Sequence, residues 1–258
     1  MELIAPILAM MVLWWASTGA IFVLGERSDL ARTVAMIVVS VLAVAALGVV
    51  WGLRDVTGPA AAYGGALAAL VIWAWHEMSF LFGYVTGPNR APCRPEATGW
   101  PRFREAAATL IHHEIALAAT VVVLGLMSLG AANAVGFYVF GLLFVLRLSS
   151  KLNLFLGAPH FTDEFLPRRL AYLHSYFSPR PAGLFFVLTT ISISVAAGLL
   201  LWGAATAETA FAAASLGLLG TLAALGAIEH LFLALPLPDA ALWRWLLPAR
   251  DPRRSPDL

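Results

Sequence analysis

Seven stretches of this chain are almost free of charge, and each has the length of about 20 residues that a helix needs to cross a bilayer. They fall at about 3–25, 32–53, 60–85, 107–130, 134–156, 182–204 and 209–235. Apolar runs this long can span lipid only as helices, which satisfy their own backbone donors and acceptors. Composition agrees. With 60% hydrophobic and 12% charged residues, a chain of 258 residues has too little polar surface for a soluble domain. The expected fold class is all-α, a polytopic integral membrane bundle of about seven helices. Only Glu2 precedes the first run, with no basic flank, so the run is expected to be a retained helix and not a cleaved leader. Cys93 is the single cysteine, which leaves no internal disulfide.

Threading the seven runs back and forth sorts the basic residues. All but one of the sixteen fall on one side, the exception being Arg54. Lys and Arg are enriched in cytoplasmic loops, so that side is expected to be cytoplasmic, with the N-terminus outside and the C-terminus inside. Very short connections near 54–59, 131–133 and 205–208 predict antiparallel hairpins of neighbouring helices on the other side. Residues 86–106 carry Pro88, Pro92, Pro95 and Pro101 and read as a loop. Within 157–181, Leu166, Leu170, Leu173 and Phe177 recur at helical spacing, which predicts an amphipathic helix near 166–177 lying on the membrane surface. The transmembrane domain is thus expected to cover 1–238. Residues 239–258 are expected to form a cytoplasmic interfacial segment, anchored around Trp243 to Leu247, and a tail.

Ionisable residues inside the runs gather toward the basic side. His76 and Glu77 end the third run, His112, His113 and Glu114 open the fourth, and Glu229 and His230 close the seventh. Arg147, Lys151 and Asn153 lie near the end of the fifth, with Glu164, His160 and His174 in the following connection. A charge at such depth costs on the order of 3 kcal/mol and generally meets a partner, a cavity or a functional site. Three readings are open. Glu77, Glu114 and Glu229 can compensate Arg147 and Lys151, as buried charges require. The His–Glu neighbours suit a membrane metalloenzyme with iron, manganese or zinc, although adjacent helical residues point about 100° apart and no Glu-x-x-His repeat is present. A neutral histidine beside Trp73 and Trp75 also suits ligation of a tetrapyrrole such as bacteriochlorophyll or a precursor. Arg147, Lys151, Asn153, Glu164 and His174 are then counter-charges or supporting residues. There is no phosphate-binding glycine loop and no Gly-x-Ser-x-Gly elbow. The arginines are scattered, which gives no basic patch for nucleic acid.

Longer strings carry a resemblance. Trp14-Trp15-Ala16-Ser17-Thr18-Gly19, Trp75-His76-Glu77-Met78-Ser79-Phe80-Leu81 and Thr86-Gly87-Pro88 look like the PuhE-type photosynthetic complex assembly protein 2 family of purple phototrophic bacteria. So do Ile111-His112-His113-Glu114, Arg147-Leu148-Ser149, Lys151-Leu152-Asn153 and Phe155-Leu156-Gly157. Glu164-Phe165-Leu166-Pro167 and Tyr172-Leu173-His174-Ser175-Tyr176-Phe177 extend the similarity over roughly residues 10–235. The resemblance implies a multi-pass protein of the bacterial inner or intracytoplasmic membrane. It also implies a role in assembling the reaction centre and core light-harvesting complex, or in modulating bacteriochlorophyll supply. The implied partners are membrane lipids, those subunits and bacteriochlorophyll-related pigments. No catalytic residues are carried over.

Overall fold

A computed structural model describes residues 4–160 and 166–235. Eight α-helices follow one another among these residues: α1 (Ile4–Gly25), α2 (Asp29–Gly52), α3 (Pro59–Leu81), α4 (Gly99–Ala108), α5 (Ile111–Met127), α6 (Val135–Leu156), α7 (Leu184–Ala205) and α8 (Ala210–Ala234). A 3-10 helix (Arg168–Tyr176) lies between α6 and α7, and no strand occurs among the described residues. Helix starts carry familiar signals. The Ser28 hydroxyl accepts from the Ala31 amide at 3.3 Å and Thr209 accepts from Ala212 at 3.1 Å, while Pro59 opens α3, where a missing N–H costs nothing.

Among the described residues six helices are long and apolar enough to cross a membrane, and the bent pair α4–α5 makes a seventh if it counts as one span. The fourth expected run therefore differs in form. Its helix begins at Gly99, breaks at Thr109 and Leu110 with a bend of 70°, and resumes at Ile111. Pro101, read from sequence as part of a loop, sits in the first turn of α4. The first four amides of a helix have no intrahelical acceptor, so proline is tolerated there.

The expected hairpins form: α2 packs on α3, α5 on α6 and α7 on α8. Two helices are central, with 61% of the α3 span and 67% of the α8 span buried against 17% for α1, α2 and α7. Both are rich in Ala and Gly, and small residues let helix backbones approach where lipid supplies no hydrophobic drive. Gly226 of α8 illustrates this: a Cβ there would come within 2.6 Å of Leu146 of α6.

Each end of the bundle is tied by side chains. At the end bearing Arg54, the Asn133 amide donates to the carbonyls of Leu53 (3.2 Å), Val56 (3.2 Å) and Ala61 (3.4 Å), and Asn133 Oδ1 accepts from the Val135 amide at 3.1 Å. Arg54 reaches the Leu129 carbonyl at 3.0 Å. Asn133→Ala is expected to lower stability by about 1–3 kcal/mol, because its bonds to three carbonyls and to the Val135 amide, partly or fully buried, are lost. Denaturation in detergent micelles measures it, and an unchanged midpoint would show the loops held by other contacts.

At the opposite, basic end, Arg102 of α4 donates to the carbonyl of Tyr176 at 2.7 Å and to Ser178 Oγ at 3.0 Å. The Asn89 amide donates to Tyr176 Oη at 3.0 Å, and that hydroxyl donates to the Ala91 carbonyl at 3.1 Å. These bonds join the 82–98 connection to the 3-10 helix as a cap. The expected α-helix near 166–177 needs correction. The segment winds three residues per turn, so Leu170, Leu173 and Tyr176 are its buried residues. Leu170 and Leu173 pack on Phe80, with Leu81 and Leu110 beside them. Residues 239–258, the Trp243 to Leu247 anchor, Glu2 and Glu164 lie outside the described residues.

Candidate functional site

Beneath this cap the ends of α3, α6 and α8 meet the start of α5. The α6/α8 contact at Leu146 and Gly226 brings the next turns together. There the Ser149 hydroxyl lies 2.8 Å from His230 Nε2, and His230 Nδ1 lies 2.8 Å from the Gly226 carbonyl. A carbonyl only accepts, so Nδ1 carries the proton and Nε2 accepts from Ser149. Both ring nitrogens of this fully buried histidine are satisfied, which makes His230 a bolt between α6 and α8. One residue back, Glu229 accepts from Ser150 at 3.3 Å.

Arg147 and Lys151 are one turn apart on α6 and share a face. Arg147 lies 3.5 Å from Glu77 of α3 and 3.6 Å from Glu229 of α8. Lys151 donates to Glu114 of α5 at 2.6 Å and stands 5.5 Å above the ring of Phe80. Four helices are therefore joined by one network. It contains three acidic side chains (Glu77, Glu114, Glu229) and two basic ones (Arg147, Lys151). The pairing predicted from sequence is present, with Arg147 shared between two acids.

His76 and His113 occupy the interior of the network. The Thr120 hydroxyl donates to Ala116 O at 3.0 Å, so His76 Nε2, 2.9 Å away, is the donor to Thr120 Oγ1. His113 is fully buried, its ring stacked on Phe80 at 4.6 Å, and its Nε2 stops 3.8 Å from Glu77 Oε1. Both nitrogens of His113, Nδ1 of His76, Oε1 of Glu77 and Nε of Arg147 are buried without a hydrogen bond. Each such orphan costs about 1–3 kcal/mol, so the polar centre holds binding capacity that the chain does not itself use.

The remaining sequence candidates fall elsewhere. His112 is exposed, because it lies about 100° around α5 from His113. His174 is on the exposed side of the 3-10 helix, 6.0 Å from Phe177. Asn153 is buried but turns to α7, donating to Thr189 Oγ1 at 3.1 Å. Phe80, Ser149, Ser150 and Thr120 also belong to the site; Phe80 and Ser149 stood in the family-like strings, whereas nothing in the sequence singled out Ser150 or Thr120.

Among the described residues no three His, Cys, Asp or Glu side chains form a group that can hold a metal ion. Lys151 engages Glu114, and Arg147 lies within 3.6 Å of both Glu77 and Glu229. The imidazole rings are packed by aromatic side chains. Trp75 and Phe140 stand 4.8 and 5.7 Å from the ring of His76, and Phe80 covers His113.

Residues 1–254 match the DUF3623 family model, described as protein of unknown function. The chain is also 37% identical, over 247 residues, to an "Uncharacterized 30.4 kDa protein in puhA 5'region" of Rhodobacter capsulatus. That alignment covers 94% of this chain and 90% of the relative. No solved structure matches the chain. With nearly its full length matched by the family model, this helical, membrane-type chain belongs to the DUF3623 family.

Proposed function

We propose that the protein is a multi-pass assembly factor of the bacterial inner or intracytoplasmic membrane, acting on the photosynthetic reaction centre and core light-harvesting complex or on the bacteriochlorophyll supplied to them. The supporting observation is the nearly full-length relationship to a protein in the puhA 5' region. The charged network supports this reading. Its inner part is fixed by the His230–Ser149 and Lys151–Glu114 contacts. Its edge is open, since the Arg147 and Glu229 side chains each keep 38% of their surface free although both sit within spanning helices. Charged groups at that depth face partners or cavities, and a polar group on a neighbouring subunit's helix is the matching occupant.

A photo-crosslinking residue at position 229 in phototrophic cells should capture a reaction-centre or light-harvesting subunit, and one at lipid-facing Val195 should not. Deleting the gene should lower assembled complex, with wild-type chain restoring it and Arg147→Gln restoring it poorly. A proportional fall in total bacteriochlorophyll would point to pigment supply, and unchanged complex in the deletion strain would reject both forms. The orientation is tested separately. Alkaline phosphatase should be active when fused after residue 57 or 206 and inactive after residue 95, as expected if the arginine-rich end is cytoplasmic.

A further inference from the structure

A cavity of about 470 Å³ lies between the α1–α2 turn and the start of the 3-10 helix, lined by none of the charged residues of the network. Its charged lining is Arg32, Arg168 and Arg169 with Glu26 and Asp29. The arginines are held in place from behind. Arg169 donates to the Phe82 carbonyl at 2.8 Å, and Arg32 contacts the Gly25 carbonyl at 3.5 Å and pairs with Asp29. A guanidinium offers five N–H donors, so Arg169 has donors to spare beyond the Phe82 contact. Burial, and then the nearby charge of Arg32, hold the Arg169 guanidinium below its ordinary pKa. Two like charges are thus kept close by backbone anchors, an arrangement that an entering anion relieves.

The level of the cavity narrows the ligand. It sits where α1 ends, α2 begins and α3 has just ended at Leu81. For spanning helices that is the depth of the lipid headgroups, and basic clusters there attract anionic lipid. Arginine forks match phosphate oxygens in pairs. We infer that this cavity binds a phosphate group, supplied by the headgroup of an anionic phospholipid, between Arg168, Arg169 and Arg32.

The test uses the purified full chain in phosphatidylcholine nanodiscs, with or without phosphatidylglycerol, read by native mass spectrometry and by unfolding temperature. Phosphatidylglycerol should be retained and should raise the unfolding temperature. Arg168→Gln, which leaves the Arg169–Phe82 anchor intact, should weaken retention, and the Arg168→Gln/Arg169→Gln pair should weaken it by about ten-fold or more. Glu26→Gln should tighten it, because a competing carboxylate is removed. Protection by inorganic phosphate alone supports the phosphate chemistry and assigns it to a free anion. Equal retention of phosphatidylcholine and phosphatidylglycerol, or retention unchanged in Arg168→Gln, overturns the inference.

Discussion

Alanine at Gly87 is expected to lift the 82–98 connection off the α4–α5 corner. A Cβ at this position would overlap the Ala108 carbonyl oxygen and come within 2.7 Å of Thr109 C and 2.8 Å of Leu110 N. These are backbone atoms, so no rotamer change makes room. The flanking bonds share the strain: Asn89 N donates to Ala108 O at 3.0 Å, and His113 N donates to Thr86 O at 3.1 Å. Overpacking of this kind costs about 3 kcal/mol. The expected readout is a lower denaturation midpoint, with faster proteolysis between residues 88 and 98. Gly141→Ala is the control, since nothing lies within 4 Å of its added Cβ and alanine suits a helix interior. A midpoint unchanged in both variants would mean that the corner is not packed as described.

Glu77→Leu is expected to have the other large effect. Glu77 is 7% exposed and faces Arg147 and His113 at once. Removing one partner of a buried pair costs about 3–5 kcal/mol, mostly from the charge left behind. Arg147 keeps a second acid, Glu229, so the lower end of that range is expected. The Glu77→Leu/Arg147→Leu double variant should be less destabilised than the two single effects summed, because it strands no unpaired partner at this contact. Strict additivity in that cycle would show that the pair is not coupled.

Much of the fold was legible because lipid imposes a length and a composition on every span. Six of the seven expected runs correspond to single spanning helices, and the predicted hairpins pack as neighbours. The fourth run hid a bend. Thr109 and Leu110 are not breaker residues, and the corner is set by tertiary contact with Gly87. The stripe at 166–177 was legible as amphipathic but not as 3-10. A period of three and one of 3.6 share Leu170 and Leu173, and only Tyr176 distinguishes them.

The candidate site divides in the same way. Its level was readable, since Glu77, Glu114, Arg147 and Glu229 all lie near helix ends on the arginine-rich side. Most of its members were readable too, but which of His112 and His113 joins it was not. On α5, the face of His113, Leu117 and Leu124 turns inward, while Ile115, Val122 and Leu126 face outward. In water, the polar side of a helix would have told these faces apart. In lipid both are apolar, so hydropathy alone leaves the rotation of α5 undetermined, and with it the choice between His112 and His113. Sequence determined which stretches are long and apolar enough to cross a membrane and at which end their charges collect. Packing against α3 and α6 decided which of those charges meet, because rotation about a helix axis is fixed by side-chain contact and not by transfer energy.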